Sequence, residues 1–183
     1  ILPMADESCR TMVETEESIL DFQSYFVKHQ WQPTLKGVHW EGTTETTPQV
    51  MKAIRTADVI VICPSNPFVS IDPILNLKGV RDALKDVPVV AMSPIIGGMA
   101  VKGPAAKMFL ELTGKQASVQ AVVDFYAGLL DGFVIDEVDA ELLPELQLKV
   151  AHVGAMPTLM LNREKQIEVG AAFLRFVQTM LEG

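Results

Sequence analysis

The stretch Val59-Ile60-Val61-Ile62 decides the fold, together with two others of the same kind, Val87-Pro88-Val89-Val90-Ala91-Met92 and Phe133-Val134-Ile135. These stretches are rich in β-branched or aromatic residues and lack the alternation of apolar and polar residues that marks a half-exposed strand. Such runs are typical of strands buried on both faces, as in parallel sheets covered by helices. We therefore expect the first two stretches to form adjacent central strands. Leu35 to Trp40 and Lys149 to Val153 are further predicted strands.

Helices are predicted between these strands from their start signals. Cap residues or proline pairs stand at Thr47-Pro48, Asp72-Pro73, Gly103-Pro104, Ser118 and Asn162. Alternating strands and helices predict an α/β fold. We expect one domain over residues 1–183, with a mainly parallel, Rossmann-like sheet and helices on both faces. Residues 1–33 are predicted to leave this core as a small excursion, with a hairpin from Thr11 to Phe22 and a short helix at Gln23 to Gln30.

Composition and charge exclude several classes of protein. Hydrophobic residues make up 49% of the 183 residues, which a disordered chain would not have. Asp and Glu number 23 against 15 Lys and Arg, so a general nucleic-acid surface is not expected. No apolar run reaches the roughly 20 residues that span a bilayer, and no secretory signal precedes the first motif. Cys9 and Cys63 are too few for a disulfide framework, which predicts reduced thiols and a cytoplasmic protein.

Two loops follow the two predicted central strands, and ligands of parallel sheets bind at such carboxyl ends. The first is rigid, with three prolines between Cys63 and Pro73. Its Ser65, Asn66 and Ser70 are candidates for binding a phosphate, a sugar or a base edge. The alternative is a structural turn in which the same side chains cap the backbone.

The second loop joins Ser93 to a predicted helix. Gly97 and Gly98 permit close backbone approach to a ligand, and Lys102 precedes the helix N-terminus, with Lys107 one turn further on. This combination indicates a phosphate site, although the spacing of a Walker A loop or a dinucleotide fingerprint is missing. A glycine turn with surface lysines remains the alternative.

Asp136 ends the Phe133-Val134-Ile135 strand, with Asp131 and Asp139 nearby. It is a candidate for holding Mg²⁺ or orienting a hydroxyl group. Carboxylates at strand ends are more often solvated loop residues, and that interpretation is favoured on general grounds. The histidines His29, His39 and His152 are scattered and show no metal-ligand spacing.

Both loops resemble signatures of the 2-phospho-L-lactate transferase family. The first carries Cys63-Pro64-Ser65-Asn66-Pro67 and Ser70-Ile71-Asp72-Pro73; the second carries Ser93-Pro94-Ile95-Ile96-Gly97-Gly98 and Lys102 to Met108. Shorter matches extend the resemblance from Leu2 to about Met160, including Leu2-Pro3-Met4 with Asp6, Phe22-Gln23 and Tyr25-Phe26-Val27.

The resemblance implies an enzyme of coenzyme F-420 biosynthesis. Such an enzyme moves a phospholactyl or phosphoenolpyruvyl group from a guanosine diphosphate conjugate to the deazaflavin alcohol Fo, releases GMP and requires Mg²⁺. In such a reaction we expect Lys102 and Asp136 to be catalytic, and we expect the rigid loop that matches the family signature to bind the nucleotide through Ser65, Asn66 and Ser70. The remaining expected substrate-binding residues are Met4, Asp6, Phe22, Ser93, Gly97, Gly98 and Lys107. Family analogy also implies a homodimer.

Two family segments are missing from the sequence, a Gly-Gly-Thr-Gly loop and an Asn-Thr-Gly-Asp-Asp motif. We therefore expect the chain to be the C-terminal portion of a longer enzyme, inactive by itself, with most metal ligands in the missing segment. Two alternatives are a non-catalytic, nucleotide-sugar-binding regulatory relative of the same fold and an unrelated phosphate-binding module. The Cys63 to Pro67 sequence favours the transferase over the regulatory relative, which carries a Gly-Pro-Gly-Ser type of loop.

Overall fold

The main sheet is parallel, and its four described strands lie in the order β4 (Ile60–Ile62), β5 (Val89–Met92), β8 (Gly132–Asp136) and β9 (His152–Met156). The structure is a computed structural model, and it describes residues 1–100 and 103–183. The strands in chain order are β1 Cys9–Thr15, β2 Ile19–Asp21, β3 Leu35–Gly42, β4 Ile60–Ile62, β5 Val89–Met92, β6 Ile95–Ile96, β7 Met99–Ala100, β8 Gly132–Asp136 and β9 His152–Met156. The predicted α/β class is thereby confirmed.

Helices alternate with these strands, as predicted. They are α1 Pro48–Arg55, α2 Asp72–Leu75, α3 Val80–Ala83, α4 Ala105–Thr113, α5 Val119–Phe125, α6 Leu143–Leu146 and α7 Arg163–Glu182. Three of the predicted caps are present: the side-chain oxygens of Thr47, Ser118 and Asn162 accept from backbone N–H groups at the starts of α1, α5 and α7. The predicted starts at Asp72-Pro73 and Gly103-Pro104 lie at the starts of α2 and α4, but no side-chain hydrogen bond caps either helix. Gly79, with φ of 80°, separates α2 from α3, so the segment after Pro73 is two short helices rather than one.

Helices cover both faces of the sheet. On one face, α7 packs Val169, Phe173 and Val177 against strand residues such as Val90 and Val134. On the other face, the opposite side chains of β5 and β8 belong to the larger core, which includes residues of α3, α4 and α5. All residues of β5 and β8 are buried, as their continuous apolar runs predict.

The first apolar stretch behaves differently from the expectation. β4 does pair with β5, but it is an edge strand among the described strands, and Val61 is 42% exposed. Val61 lies opposite Val90 in the register and so faces the α7 side of the sheet, where the helix covers β5 and β8. The prediction that β4 is central and buried on both faces is therefore wrong for the described structure.

The N-terminal excursion is a second, antiparallel sheet. Its strand order is β2-β1-β3, so the predicted hairpin is completed by β3, which extends the excursion beyond residue 33 to Gly42. The predicted short helix is a single π-helical turn, Ser24–Lys28, which follows β2. Its buried residue Tyr25 and Val13 of β1 both join the main core.

Candidate functional site

A cavity of about 700 Å³ opens where the carboxyl ends of β4, β5 and β9 meet the excursion. Its walls are largely apolar, and most of the lining residues lie in loops or turns; Ile96 of β6 and Ala105 at the start of α4 are exceptions. The lining residues are Phe22, Phe26, Pro64, Ser65, Asn66, Val69, Ser70, Ser93, Pro94, Ile96, Gly103, Pro104, Ala105, Thr158, Leu159, Met160 and Leu161. Both loops that the sequence analysis singled out therefore contribute to one site.

The three predicted nucleotide-binding residues stand together on the first loop. Ser65, Asn66 and Ser70 all line the cavity, and Ser70 is exposed to solvent. The Asn66 side chain is already used: Oδ1 accepts from Phe68 N at 3.0 Å, and Nδ2 lies 3.2 Å from Met108 Sδ. Asn66 thus begins the π-helical turn Pro67–Ile71 in the way that a cap begins a helix. Nucleotide binding by this loop stays a prediction.

Ser93 shapes the second loop. Its hydroxyl group donates to Ile95 O at 2.9 Å and accepts from Ile95 N at 3.0 Å, and the residue is buried against the cavity. Gly97 and Gly98 form the tight turn between β6 and β7, with φ of 56° and 74°, outside the cavity lining. Lys102, the predicted catalytic lysine, lies outside the described residues.

Asp136 supports a cavity wall from behind. It is 5% exposed, and Oδ2 accepts from both the backbone N–H and the hydroxyl group of Thr158, at 2.8 and 2.7 Å. Oδ1 accepts from Val138 N at 3.2 Å. Burial raises the pKa of Asp136, but these three hydrogen bonds outweigh burial and hold the pKa below its usual value. These contacts favour a positioning role through Thr158, while the predicted catalytic role stays a prediction.

Asp139 similarly fixes the second loop. Its Oδ2 accepts from Gly97 N at 2.9 Å, and the residue is 8% exposed. Within residues 1–100 and 103–183, no three His, Cys, Asp or Glu side chains lie close enough together to hold a metal ion. Because the carboxylates of Asp136 and Asp139 are already bonded to backbone N–H groups, we assign no Mg²⁺ ligand among the described residues.

The excursion supplies an aromatic wall. The rings of Phe22 and Phe26 stack with centroids 5.6 Å apart, and Phe26 lies against Trp31 with centroids 5.1 Å apart. Phe22 was predicted to bind substrate, and it lines the cavity. Met4 packs against the main core and Asp6 is exposed, and neither lines the cavity.

Lys107 was predicted to bind substrate, but it does not line the cavity, and its ammonium group contacts other groups of the protein. It donates to the carbonyl oxygens of Trp31 and Pro33, both at 2.6 Å, and lies 3.6 Å from Glu111 Oε2. These contacts favour a structural role for Lys107.

Sequence reasoning missed the wall formed by Thr158, Leu159, Met160 and Leu161. The last three are exposed apolar residues in the segment that follows β9, and Thr158 is buried. The signal was available, because the loop after any parallel strand is a place to look for a site. The predicted strand Lys149 to Val153 ends three residues before the observed Met156, so the sequence pattern does not place this loop at a strand end.

An apolar cavity at the carboxyl edge of a parallel sheet is the usual place for a small-molecule site in an α/β domain. The sequence model of the family described as 2-phospho-L-lactate transferase CofD matches residues 1–170, so the chain belongs to that family. The resemblance stated from the two loops is confirmed at the level of the family.

Curated relatives support the same assignment. The 2-phospho-L-lactate transferase of Methanosarcina mazei is 39% identical over 171 residues, which cover 92% of this chain and 56% of the relative. That of Methanothermobacter thermautotrophicus is 38% identical, over 88% of this chain and 52% of the relative. The phosphoenolpyruvate transferase of Streptomyces griseus is 39% identical, over 87% of this chain and 53% of the relative. The chain thus spans a little over half the length of these relatives.

Solved structures agree on the fold. A crystal structure of protein BH3568 from Bacillus halodurans superposes with a TM-score of 0.61 at 21% identity, covering 94% of this chain and 61% of that one. A second structure of the same protein, described as a member of the UPF0052 family, gives a TM-score of 0.60 at 20% identity. At this identity the likeness supports the α/β fold alone. None of the helices in the described part of the chain has the length and apolarity needed to cross a membrane.

Proposed function

We propose that this chain forms the acceptor-binding part of a transferase of coenzyme F-420 biosynthesis. In the proposed reaction, the terminal hydroxyl oxygen of the deazaflavin Fo attacks the phosphorus that carries the lactyl or enolpyruvyl group. One P–O bond forms, the P–O bond to GMP breaks, and the hydroxyl proton is released. The activity is proposed for the full-length protein, because the chain covers a little over half of each relative.

The aromatic wall is the observation that carries this proposal. A deazaflavin ring is flat and largely apolar, and stacked phenylalanines beside prolines, leucines and a methionine offer a matching surface. The volume of about 700 Å³ suits a ring of that size with a polyhydroxyl chain. In this arrangement Phe22 and Phe26 contact the ring, and the exposed side of the cavity receives the ribityl chain.

The donor is proposed to bind beside the first loop. Ser65 and Ser70 line the cavity, and their hydroxyl groups are of a kind that suits contact with phosphate oxygens. Asn66 then contributes by holding the loop rather than by a direct contact. The requirement for Mg²⁺, the cytoplasmic location and the homodimer stay predictions, and no step of this account depends on them.

The relatives favour the transferase over a regulatory, nucleotide-sugar-binding protein. The curated relatives named above are called 2-phospho-L-lactate transferase or phosphoenolpyruvate transferase. Since both names occur at 38–39% identity, the choice between a lactyl and an enolpyruvyl donor is left to measurement.

Titration of the full-length protein with Fo, followed by the fluorescence of the deazaflavin, tests the acceptor site. We expect saturable binding, weakened about tenfold by Phe26→Ala because a stacking surface is lost. Phe176→Ala is the matched control, since Phe176 is also half-buried but lies against Gly154 on the face of the sheet that α7 covers, and it does not line the cavity. Equal affinity of the two variants, or no saturable binding by the wild-type protein, would reject the proposal.

A further inference from the structure

We infer that Lys107 is a positioning residue that holds the aromatic wall of the cavity in place. It acts through the turn 31–33, which joins the π-helical turn of the excursion to β3. The part of this inference that concerns the acceptor rests on the proposed function; the part that concerns the turn does not.

Lys107 holds this turn through several polar contacts. Its Nζ donates to the carbonyl oxygens of Trp31 at 2.6 Å, Gln32 at 3.1 Å and Pro33 at 2.6 Å. Three successive carbonyl groups therefore converge on one ammonium group, which has three donors. Charge-assisted hydrogen bonds of this length are the strong ones. We call this arrangement the lysine clamp.

Two further side chains complete the lysine clamp. Glu111, one turn after Lys107 on α4, places Oε2 3.6 Å from Nζ and also accepts from Leu35 N at 2.9 Å. Tyr25 is fully buried, and its hydroxyl group lies 3.4 Å from Nζ and donates to Trp31 O at 3.3 Å. The ammonium group is thus satisfied by the protein itself, which leaves it poorly placed to neutralise a bound phosphate.

The backbone beside the clamp is strained, and the clamp explains how the strain is kept. Gln30 and Trp31 have φ of 49° and 48°, in the left-handed region that residues other than glycine seldom adopt. Such conformations persist only when the surrounding structure holds them. Since the carbonyl group of Trp31 is one of those bound by Lys107, the clamp fixes this conformation directly.

The fixed turn reaches the cavity through Phe26. The ring of Trp31 lies against Phe26, which stacks on Phe22, and both phenylalanines line the cavity. Phe26 also packs within 3.7 Å of the point where a side chain would begin on Gly103, just before α4. The chain around the start of α4 therefore supports the aromatic wall in two ways, by the contact at Gly103 and by the lysine clamp at Lys107.

The first test needs no substrate. Hydrogen–deuterium exchange of the full-length protein is compared for wild type, Lys107→Met and Lys115→Met. Lys115→Met is the matched control, because it removes the same charge from an exposed lysine that pairs with Asp124. We expect exchange in residues 24–33 to accelerate about tenfold in Lys107→Met alone, as the loss of charge-assisted hydrogen bonds requires. Exchange in β5 and β8 should stay unchanged.

Unchanged exchange in residues 24–33 would overturn the lysine clamp. Equal acceleration throughout β5 and β8 would also overturn it, because Lys107 would then be a general stabiliser of the fold.

The second test uses turnover with Fo and the guanosine diphosphate conjugate. A positioning role predicts that Lys107→Met raises the KM for Fo about tenfold and leaves kcat within about twofold. Trp31→Ala should raise the same KM, because it removes the ring between the clamp and Phe26; this variant also serves if Lys107→Met does not fold. A fall in kcat with KM unchanged would show that the Lys107 charge acts on the transferred group, contrary to the inference. If the wild-type protein does not turn over, the proposed function fails, and the exchange experiment alone decides the lysine clamp.

Discussion

Replacement of Asp136 by asparagine is the perturbation whose cost the structure defines best. The buried carboxylate accepts three hydrogen bonds, two from Thr158 and one from Val138. An amide group has one oxygen, so Asp136→Asn leaves at least one N–H group, that of Thr158 or that of Val138, facing another donor, and it removes the charge from the remaining bonds. One unsatisfied buried group costs about 1–3 kcal/mol, and loss of charge assistance adds to it, so we expect a loss of about 2–4 kcal/mol.

Urea unfolding of the full-length protein at neutral pH measures this loss. Thr158→Val removes the hydroxyl group but keeps the backbone N–H group, so it should cost about 1 kcal/mol. Because both substitutions remove the same hydroxyl–carboxylate bond, the double variant should cost less than the sum of the two. Asp82→Asn, on an exposed carboxylate paired with Lys85, is the control and should leave unfolding unchanged. A loss below about 0.5 kcal/mol for Asp136→Asn, the range of ordinary surface changes, would refute the reasoning.

Further predictions concern pH and two local packing features. The folded pKa of Asp136 is lowered, so its contribution to stability should be complete above its ordinary pKa of about 3.9 and should be lost as the pH falls through the folded value. Acid titration should show this as a convergence of the unfolding free energies of wild type and Asp136→Asn. Gly154→Ala should cost about 1–3 kcal/mol in urea unfolding, since the added carbon would lie 2.8 Å from the ring of Phe176. Gly170→Ala in α7 should instead stabilise the fold by up to about 1 kcal/mol, because its added carbon meets no atom within 4 Å. Ser118→Ala should cost about 1 kcal/mol, because its hydroxyl group caps α5; an unchanged midpoint would show that the cap contributes nothing.

The parallel sheet was predictable because a strand that is buried on both faces has a continuous run of apolar residues in the sequence. β5 and β8 are continuous apolar runs and are buried throughout. β4 has the same kind of apolar run, yet Val61 is exposed. An apolar run does not reveal whether a helix covers the strand or whether another strand pairs with its outer edge. The role of β3 was also hidden, because its pairing with β1 depends on contacts between distant residues rather than on composition.

The site was predictable only as far as strand ends reveal it. The two loops after β4 and β5 do line one cavity, as expected from the rule for parallel sheets. What the sequence could not show is which polar groups are already satisfied. Asn66, Asp136 and Lys107 belong to residue types that often bind ligands. In the folded chain, however, each side chain already forms hydrogen bonds with other groups of the protein. Such long-range contacts, 76 residues apart for Lys107 and Trp31, become visible only in the folded chain.

A crystal structure of the full-length protein with Fo bound tests the central claim most directly. We predict that the deazaflavin ring lies in the cavity in van der Waals contact with Phe22 or Phe26, with its ribityl chain directed towards the loop that carries Ser65 and Ser70. A ring bound elsewhere, with the two phenylalanine side chains free of contact, would contradict it.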